Sequence, residues 1–235
     1  MKIEIWSDIM CPFCYIGKRR FEEALANFEG KNDVEIEWKS FLLSPELKTD
    51  PNKNIHEYLA EHKNISLEEA KGLNDYVTNM AAQVGLTYNF DKAIPANSFN
   101  AHRFLHFAKK HDKQNEAEER LFKAYFTEGK NIDDAQTLLF LAIEMGLDAN
   151  KLADAMNNGE FTNDVIADIN EAQQLGVRGV PFFVFNRKYA VSGAQESEAF
   201  TQTLEKAFEE WQASQPKTSF ETIKGESCDI DGNCD

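Results

Sequence analysis

Polar and apolar residues alternate at the start of the chain. In Lys2–Ser7, "KIEIWS", Ile3, Ile5 and Ser7 fall on one side and Glu4 and Trp6 on the other, which is the period of a β-strand. From Pro12 to about Phe28 the period lengthens. Tyr15, Phe21, Leu25 and Phe28 recur at helical spacing, with Lys18, Arg19 and Arg20 between them on what reads as a solvated face. Pro12 suits the first turn of that helix, where its missing N–H costs little, and Gly30 reads as the stop. Val34–Phe41 alternates again, with Val34, Ile36 and Trp38 on one face. The chain therefore opens as strand, cysteine-bearing turn, helix and strand.

A long helical region follows. Gly85, Gly129, Gly146, Gly159 and Gly176 each close an amphipathic run, as helix C-terminal caps do. Ser66 and Glu69 have the spacing of a capping box. Ser98–His111, Glu116–Thr127 and Asp134–Met145 read as three of the helices. Strand character returns at "GVPFFVFNRKYAVSG", where Phe182–Phe185 and Tyr189–Ser192 flank a turn at Asn186–Lys188, a hairpin. A last helix is expected over about Ser197–Ser214, and beyond Pro216 the periodicity is lost. The order is β-α-β, helices, then β-β-α. If the two ends pair, they make one mixed sheet, with a helical subdomain inserted between them.

Composition narrows the function. The chain has 235 residues, 42% hydrophobic and 28% charged, as expected of a folded globular protein. Its net charge of -15 argues against general electrostatic binding to nucleic acid or to an anionic membrane. "MKIEIWSD" lacks the pattern of a secretory signal, and no apolar run is long enough to span a bilayer, so a cytoplasmic location is the default expectation. In that compartment a permanent disulfide framework is disfavoured, and four cysteines are too few to staple a chain of this size. Redox chemistry or a metal is left.

Cys11 and Cys14, in "MCPFCY", stand at the junction of strand and helix. Unsatisfied N–H groups and the positive end of the helix favour a thiolate at Cys11. The chemistry available is attack by Cys11 on a disulfide, followed by resolution of the mixed disulfide by Cys14. Pro12 stiffens the turn, and the apolar Phe13 offers Cys11 no side-chain hydrogen bond. A zinc clamp would need further ligands, and the other cysteines, Cys228 and Cys234, are far away in sequence. A chance C-x-x-C is possible, but its placement between strand and helix lowers that prior.

"SDIMCPFCYIGKRR" resembles the active-site segment of thioredoxin-fold proteins of the DsbA family, and within it the FrnE-like branch, where "YIGK" follows the motif. "NSFNAHRFLHFA" (Asn97–Ala108) resembles a helix of the family's helical insert, "GVRGVPFFVFN" (Gly176–Asn186) its cis-proline loop, and "VSGAQ" (Val191–Gln195) the strand end that follows. The resemblance implies an α/β, thioredoxin-like fold: residues 1–48 and 176–215 form the thioredoxin-like domain, 49–175 the helical insert and 216–235 a tail. It implies a thiol–disulfide oxidoreductase or isomerase with Cys11 and Cys14 as its catalytic pair. It also implies a cis Val180–Pro181 bond, with Val180, Pro181 and Phe13 meeting the substrate; the alternative is that Pro181 merely starts a strand. Protein or peptide thiols and disulfides are the expected partners, with a low-molecular-weight thiol or a thioredoxin-system donor, and no cofactor or metal. Secreted DsbA proteins carry histidine where this chain has Phe13, so a strongly oxidising poise is not carried over.

Other groups carry less. His102 and His106 lie one helical turn apart without the glutamate of H-E-x-x-H, which favours packing or a substrate groove over a metal. Asp8 could assist proton transfer at Cys14, though an Asp at a strand end more often is solvated or caps a turn. Of the 18 phenylalanines, Phe182, Phe183 and Phe185 cluster beside Pro181 as core, with one or two free to line an apolar groove. In "CDIDGNCD", Cys228 and Cys234 could relay electrons to Cys11–Cys14, close on themselves, or join a metal site; an accessory redox pair, as in some FrnE-like isomerases, is the favoured reading. Two rivals stand beside the main reading. One is a glutathione-dependent kappa-type isomerase or transferase, which normally has a serine or a lone cysteine at this position. The other is a non-enzymatic holdase or metal-binding module.

Overall fold

The first strand, β1 (Lys2–Ser7), sits inside a four-stranded mixed sheet of order β2-β1-β3-β4, with β2 at Glu35–Ser40, β3 at Phe182–Phe185 and β4 at Tyr189–Ser192. The structure is a computed structural model and describes residues 1–215. β1 runs parallel to β2 and antiparallel to β3, and β3 and β4 form the expected hairpin. Its turn holds Asn186 and Arg187 at positive φ, and the Lys188 N–H donates to the Phe185 carbonyl at 3.0 Å across it. The two ends of the described chain therefore do pair into one sheet.

One face of that sheet carries Ile3, Ile5, Trp38, Phe183 and Phe185, packed on Phe21 of α1 (Pro12–Ala26) and on Phe200 and Leu204 of α9 (Ser197–Ser214). Phe183 meets Phe200 edge-on with ring centroids 4.7 Å apart, and Phe21 meets Phe200 at 5.8 Å, geometries that add to simple burial. The other face, which carries Glu4 and Trp6, is covered as well. Trp6 is buried against Ala172 and Val177, and its indole N–H donates to the Asp168 carbonyl at 3.0 Å. Glu4 is buried too, its carboxylate ion-paired to Arg187. A strand flanked by partners and covered on both faces can bury a polar residue only if a charge comes to meet it.

Between β2 and β3 lie α2 (Ile55–Lys63), α3 (Leu67–Gln83), α4 (Phe99–Lys109), α5 (Gln114–Phe122), α6 (Ala135–Glu144), α7 (Ala149–Asn157) and α8 (Thr162–Gln174). Ser66 and Glu69 form the expected capping box of α3. After α5 the chain makes a π-helical turn over Lys123–Thr127, where the periodicity suggested an unbroken helix. The five glycines expected as caps all have positive φ. Gly30 is different: its φ is ordinary, α1 ends earlier at Ala26, and a Cβ there would lie 2.5 Å from the Phe208 ring. Close packing, not helix termination, requires glycine at that position.

Two further expectations are corrected. Lys18 and Arg20 are buried, not on a solvated face. Lys18 pairs with Glu22 and, at 3.0 Å, with Glu119. Arg20 donates to the Ala194 carbonyl at 2.6 Å and pairs with Glu196, tying α1 to the entry of α9.

The outer edge of β2 is closed by side chains. Gln114 accepts from the Trp38 N–H at 3.1 Å and donates to its carbonyl at 2.9 Å, and Asp168 accepts from the Ser40 N–H at 3.0 Å. These bonds occupy an edge that would otherwise invite another strand. Replacing Phe183 by Ala is expected to lower unfolding stability by about 3–5 kcal/mol, measured by denaturant titration. A loss below about 1 kcal/mol would show that the aromatic cluster is not the anchor of this face.

Candidate active site

β1 ends at Ser7, and the next residues turn the chain into α1. Asp8 builds the turn: its carbonyl accepts from the Cys11 N–H at 2.9 Å, while its carboxylate accepts from Met10 N–H at 3.1 Å and Leu43 N–H at 2.7 Å. The last bond pins the segment after β2 to the turn. Asp8 is fully buried, so it caps a turn, as a strand-end Asp often does, and is not solvated. Cys11 occupies the N-cap of α1 without a side-chain cap bond, Pro12 opens the helix, and the Cys14 N–H donates to the Cys11 carbonyl at 3.0 Å. Both cysteines are free thiols and both are buried. The Tyr88 hydroxyl donates to the Pro12 carbonyl at 2.7 Å and so ties the motif to the helical region.

Opposite the cysteines lies Val180–Pro181, a cis peptide, so Pro181 is more than the first residue of a strand. The Cys11 thiol donates to the Val180 carbonyl at 3.5 Å. Gly17 allows the close approach of α1: a Cβ there would lie 3.0 Å from Pro181 Cγ. Next to Cys11 opens a cleft of about 510 Å³, whose walls include Phe13, Leu43, Tyr58, Leu73 and Tyr76. Phe13, Leu43, Leu73 and Tyr76 are exposed apolar or aromatic residues, a concentration of the kind that marks binding surfaces.

Beneath the motif lies a buried polar layer. The Ser7 hydroxyl donates to Glu118 Oε1 at 2.7 Å. Burial pushes the Cys14 thiol well above its ordinary range, and neighbouring Cys11 adds to the rise. Glu118 is completely buried, and desolvation lifts its carboxyl to about 7; Ser7, His102 and Lys18 pull it back down and Asp8 pushes it up. His102 stands 3.7 Å from Asp8 with both ring nitrogens unpartnered. His106 faces Ser40 and Asp168, each at 3.1 Å. Burial raises the Asp168 carboxyl, but His106, the Ser40 amide and Lys39 outweigh it and hold the group below its ordinary value. His106 is thus held by polar partners, while His102 is buried without a hydrogen bond. Among the described residues no group of three His, Cys, Asp or Glu side chains is placed to hold a metal.

The family model for the DSBA-like thioredoxin domain matches residues 2–205. The chain belongs to this family. It is a thiol–disulfide oxidoreductase with the thioredoxin-like DsbA fold. A crystal structure described as a probable DsbA oxidoreductase of Streptomyces coelicolor is 36% identical, with a TM-score of 0.83, covering 100% of this chain and 98% of that one. An uncharacterized protein of Bacillus subtilis, YwbO, is 32% identical over 207 residues, 86% of this chain and 94% of that protein. The cytosolic disulfide reductase DsbM of Pseudomonas aeruginosa shares the fold at 17% identity and a TM-score of 0.62, over 89% of this chain and 99% of that one.

In this DsbA-like chain the structure brings Cys11, Cys14, Phe13, Val180 and Pro181 around one cleft and one turn. Cys228 and Cys234 lie outside the described residues. Phe183 and Phe185 are core and Phe182 is half-buried; the phenylalanines that line the cleft are Phe13 and Phe90. The sequence reading passed over Ser7, Gly17, Tyr88 and Glu118. Glu118 had a signal: it falls among Gln114, Ala117, Leu121 and Phe122, the buried face of α5.

Glu118 also sets a pH dependence. The group moves from an ordinary value of 4.5 to about 7 on folding, so the folded state holds a proton that the unfolded chain releases. Its contribution is complete below about pH 4.5 and is lost as pH rises to about 7, by ~3 kcal/mol in all. Glu118→Gln is expected to flatten this decline, read by denaturant unfolding at intervals from pH 5 to 8. Parallel curves for the two proteins would refute the shift.

Proposed function

We propose that this chain is a cytoplasmic, FrnE-like oxidoreductase and isomerase that exchanges disulfides with protein or peptide substrates, with Cys11 as nucleophile and Cys14 as resolving cysteine. The observation that carries the reading is the Cys-Pro-Phe-Cys turn at the start of α1, facing a cis Val180–Pro181 bond. Cys11 sits at the N-terminus of α1, and it lines the cleft that a substrate would enter. Cys14, fully buried one turn further in, is protected from external disulfides and reaches only the mixed disulfide formed at Cys11. Phe13 and the apolar wall hold the substrate's side chains, and Val180 and Pro181 meet its backbone as an added strand would.

The intact dithiol disfavours the kappa-type transferase reading, which needs one nucleophile and no resolving partner. A low-molecular-weight thiol or a thioredoxin-system donor restores the dithiol; one structure sharing the fold, at 15% identity, is that of the disulfide reductase DsbM with GSH. Cys11→Ser is expected to reduce insulin-disulfide exchange at least about 10²-fold, while Cys14→Ser accumulates a covalent mixed disulfide with the substrate, seen by mass spectrometry. Full activity of Cys11→Ser would end this reading.

We assign Cys228 and Cys234 as an accessory redox pair that exchanges with Cys11–Cys14. The double variant Cys228→Ser/Cys234→Ser is expected to change the rate of scrambled-substrate isomerisation or of recycling by a thiol donor. Identical rates in both assays would make the pair a bystander.

A further inference from the structure

α1 buries one arginine, Arg20. Its guanidinium donates through Nη1 to the Ala194 carbonyl at 2.6 Å and pairs through Nη2 with Glu196 at 2.8 Å, while Nε is buried without a partner. A buried donor left unpaired is a cost. The pair with Glu196 offsets little of it, because that side chain is 78% exposed. What the arginine secures is the backbone at Ala194, in the segment between β4 and α9.

That segment supports the loop facing the cysteines. The Gly193 N–H donates to the Pro181 carbonyl at 2.8 Å. A Cβ on Gly17 would lie 3.0 Å from Pro181 Cγ and 3.5 Å from Ala194 Cα. Gly17 and Arg20 stand three residues apart on α1 and so share a face. α1, the Gly193–Ala194 turn and the Pro181 loop therefore meet at one junction, and Arg20 is the side chain that crosses it. On the other side of Pro181 lies Val180, whose carbonyl accepts from the Cys11 thiol at 3.5 Å.

We propose that Arg20 is a positioning residue for the substrate: by holding the Ala194 carbonyl it fixes the turn bonded to Pro181, and so keeps the Val180 backbone in register with Cys11 for a docked peptide. The inference deepens the exchange reading above and rests on it. Arg20 touches neither sulfur; it acts through Ala194 and Gly193. A guanidinium suits the task because its planar fork spans two acceptors at once, which a lysine ammonium does not do in the same geometry. A peptide bonded to the Val180 backbone as an added strand loses affinity when that backbone can shift. A small disulfide has no backbone to dock and reaches Cys11 without that register.

The test compares two disulfides with the same leaving group on the reduced full-length protein: dithiobis-nitrobenzoate, and a short peptide whose cysteine carries nitrothiobenzoate. Attack by Cys11 on the peptide sulfur forms the Cys11–peptide disulfide and releases coloured nitrothiobenzoate, and Cys11→Ser supplies the blank for the other thiols. Rate against peptide concentration gives a half-saturating concentration and a limiting rate. Arg20→Met is expected to raise the half-saturating concentration about 10-fold and to change the limiting rate less than about twofold. Its rate with dithiobis-nitrobenzoate is expected to fall less than about twofold. Arg20→Lys, which keeps a charged donor, is expected to recover part of the lost affinity, and Arg20→Gln carries the same measurement where the Met variant does not fold. Wild-type half-saturation in Arg20→Met or Arg20→Gln overturns the positioning role. So does an equal loss with both disulfides, which marks a general disturbance of the fold. A wild-type protein that releases no more nitrothiobenzoate than Cys11→Ser overturns disulfide exchange and the positioning role with it.

Discussion

The antiparallel pairing of β1 with β3 is the constraint on which the site depends. It joins the two ends of the described chain, setting Ile3 opposite Phe185 and Ile5 opposite Phe183. β1 runs on through Asp8 to Cys11, and β3 begins directly after Pro181. The register that aligns the core therefore also aligns the cysteine turn with the Val180–Pro181 loop. A slip of one residue would turn every side chain of a strand to the other face, taking Phe183 and Phe185 out of the aromatic cluster. Burial of a few phenylalanines thus enforces the distance from Cys11 to the Val180 carbonyl, and Gly17 removes the one Cβ that would keep α1 from closing on Pro181.

The helices between β2 and β3 do more than cover the sheet. Gln114 at the start of α5 and Asp168 on α8 satisfy the backbone of edge strand β2. Tyr88 holds the Pro12 carbonyl, and α5 brings Glu118 beneath the redox motif. Phe122 and Phe126, on either side of the step into the π-helical turn, join the stack of aromatic rings against Tyr15 and Tyr88. Each of these groups reaches the opening β-α-β segment from a distant part of the chain. The helical region is therefore built into the site, and a change in its packing reaches the cysteines through named bonds.

Elements whose stability is local were legible in the sequence. The hairpin and α9 appear where periodicity and turn residues put them, and the Ser66–Glu69 box caps α3. The cysteine turn was legible because proline, helix start and paired thiols coincide within a few residues. What stayed hidden depends on partners remote in sequence. The run of Lys18, Arg19 and Arg20 looks like a wet face until Glu119 and Glu196 arrive to neutralise it. Glu4 looks solvent-facing until Arg187 meets it. Gly30 looks like a helix stop because the Phe208 ring that fills its side is far along the chain. Hydrophobic periodicity records which face of an element is apolar, but it cannot record a charge that burial has paired.

The cost of Glu118 argues for a use. A buried carboxyl raised to about 7 withholds ~3 kcal/mol of stability above neutral pH, a large part of what holds a domain together. A neutral amide of the same shape avoids that loss, and replacing buried charges by neutral groups is often stabilising. Stability alone would therefore select against this glutamate. Groups that are costly to the fold and close to the chemistry are what a trade between stability and activity leaves behind. Glu118 meets both conditions, since its Oε1 holds the hydroxyl of Ser7, the last residue of β1 before the cysteine turn. Glu37 provides the contrast: desolvation raises its carboxyl, but Lys109, Lys2 and Lys39 prevail and bring it to about 2. A carboxylate saturated by lysines in this way stabilises the fold at neutral pH and has no proton to exchange there.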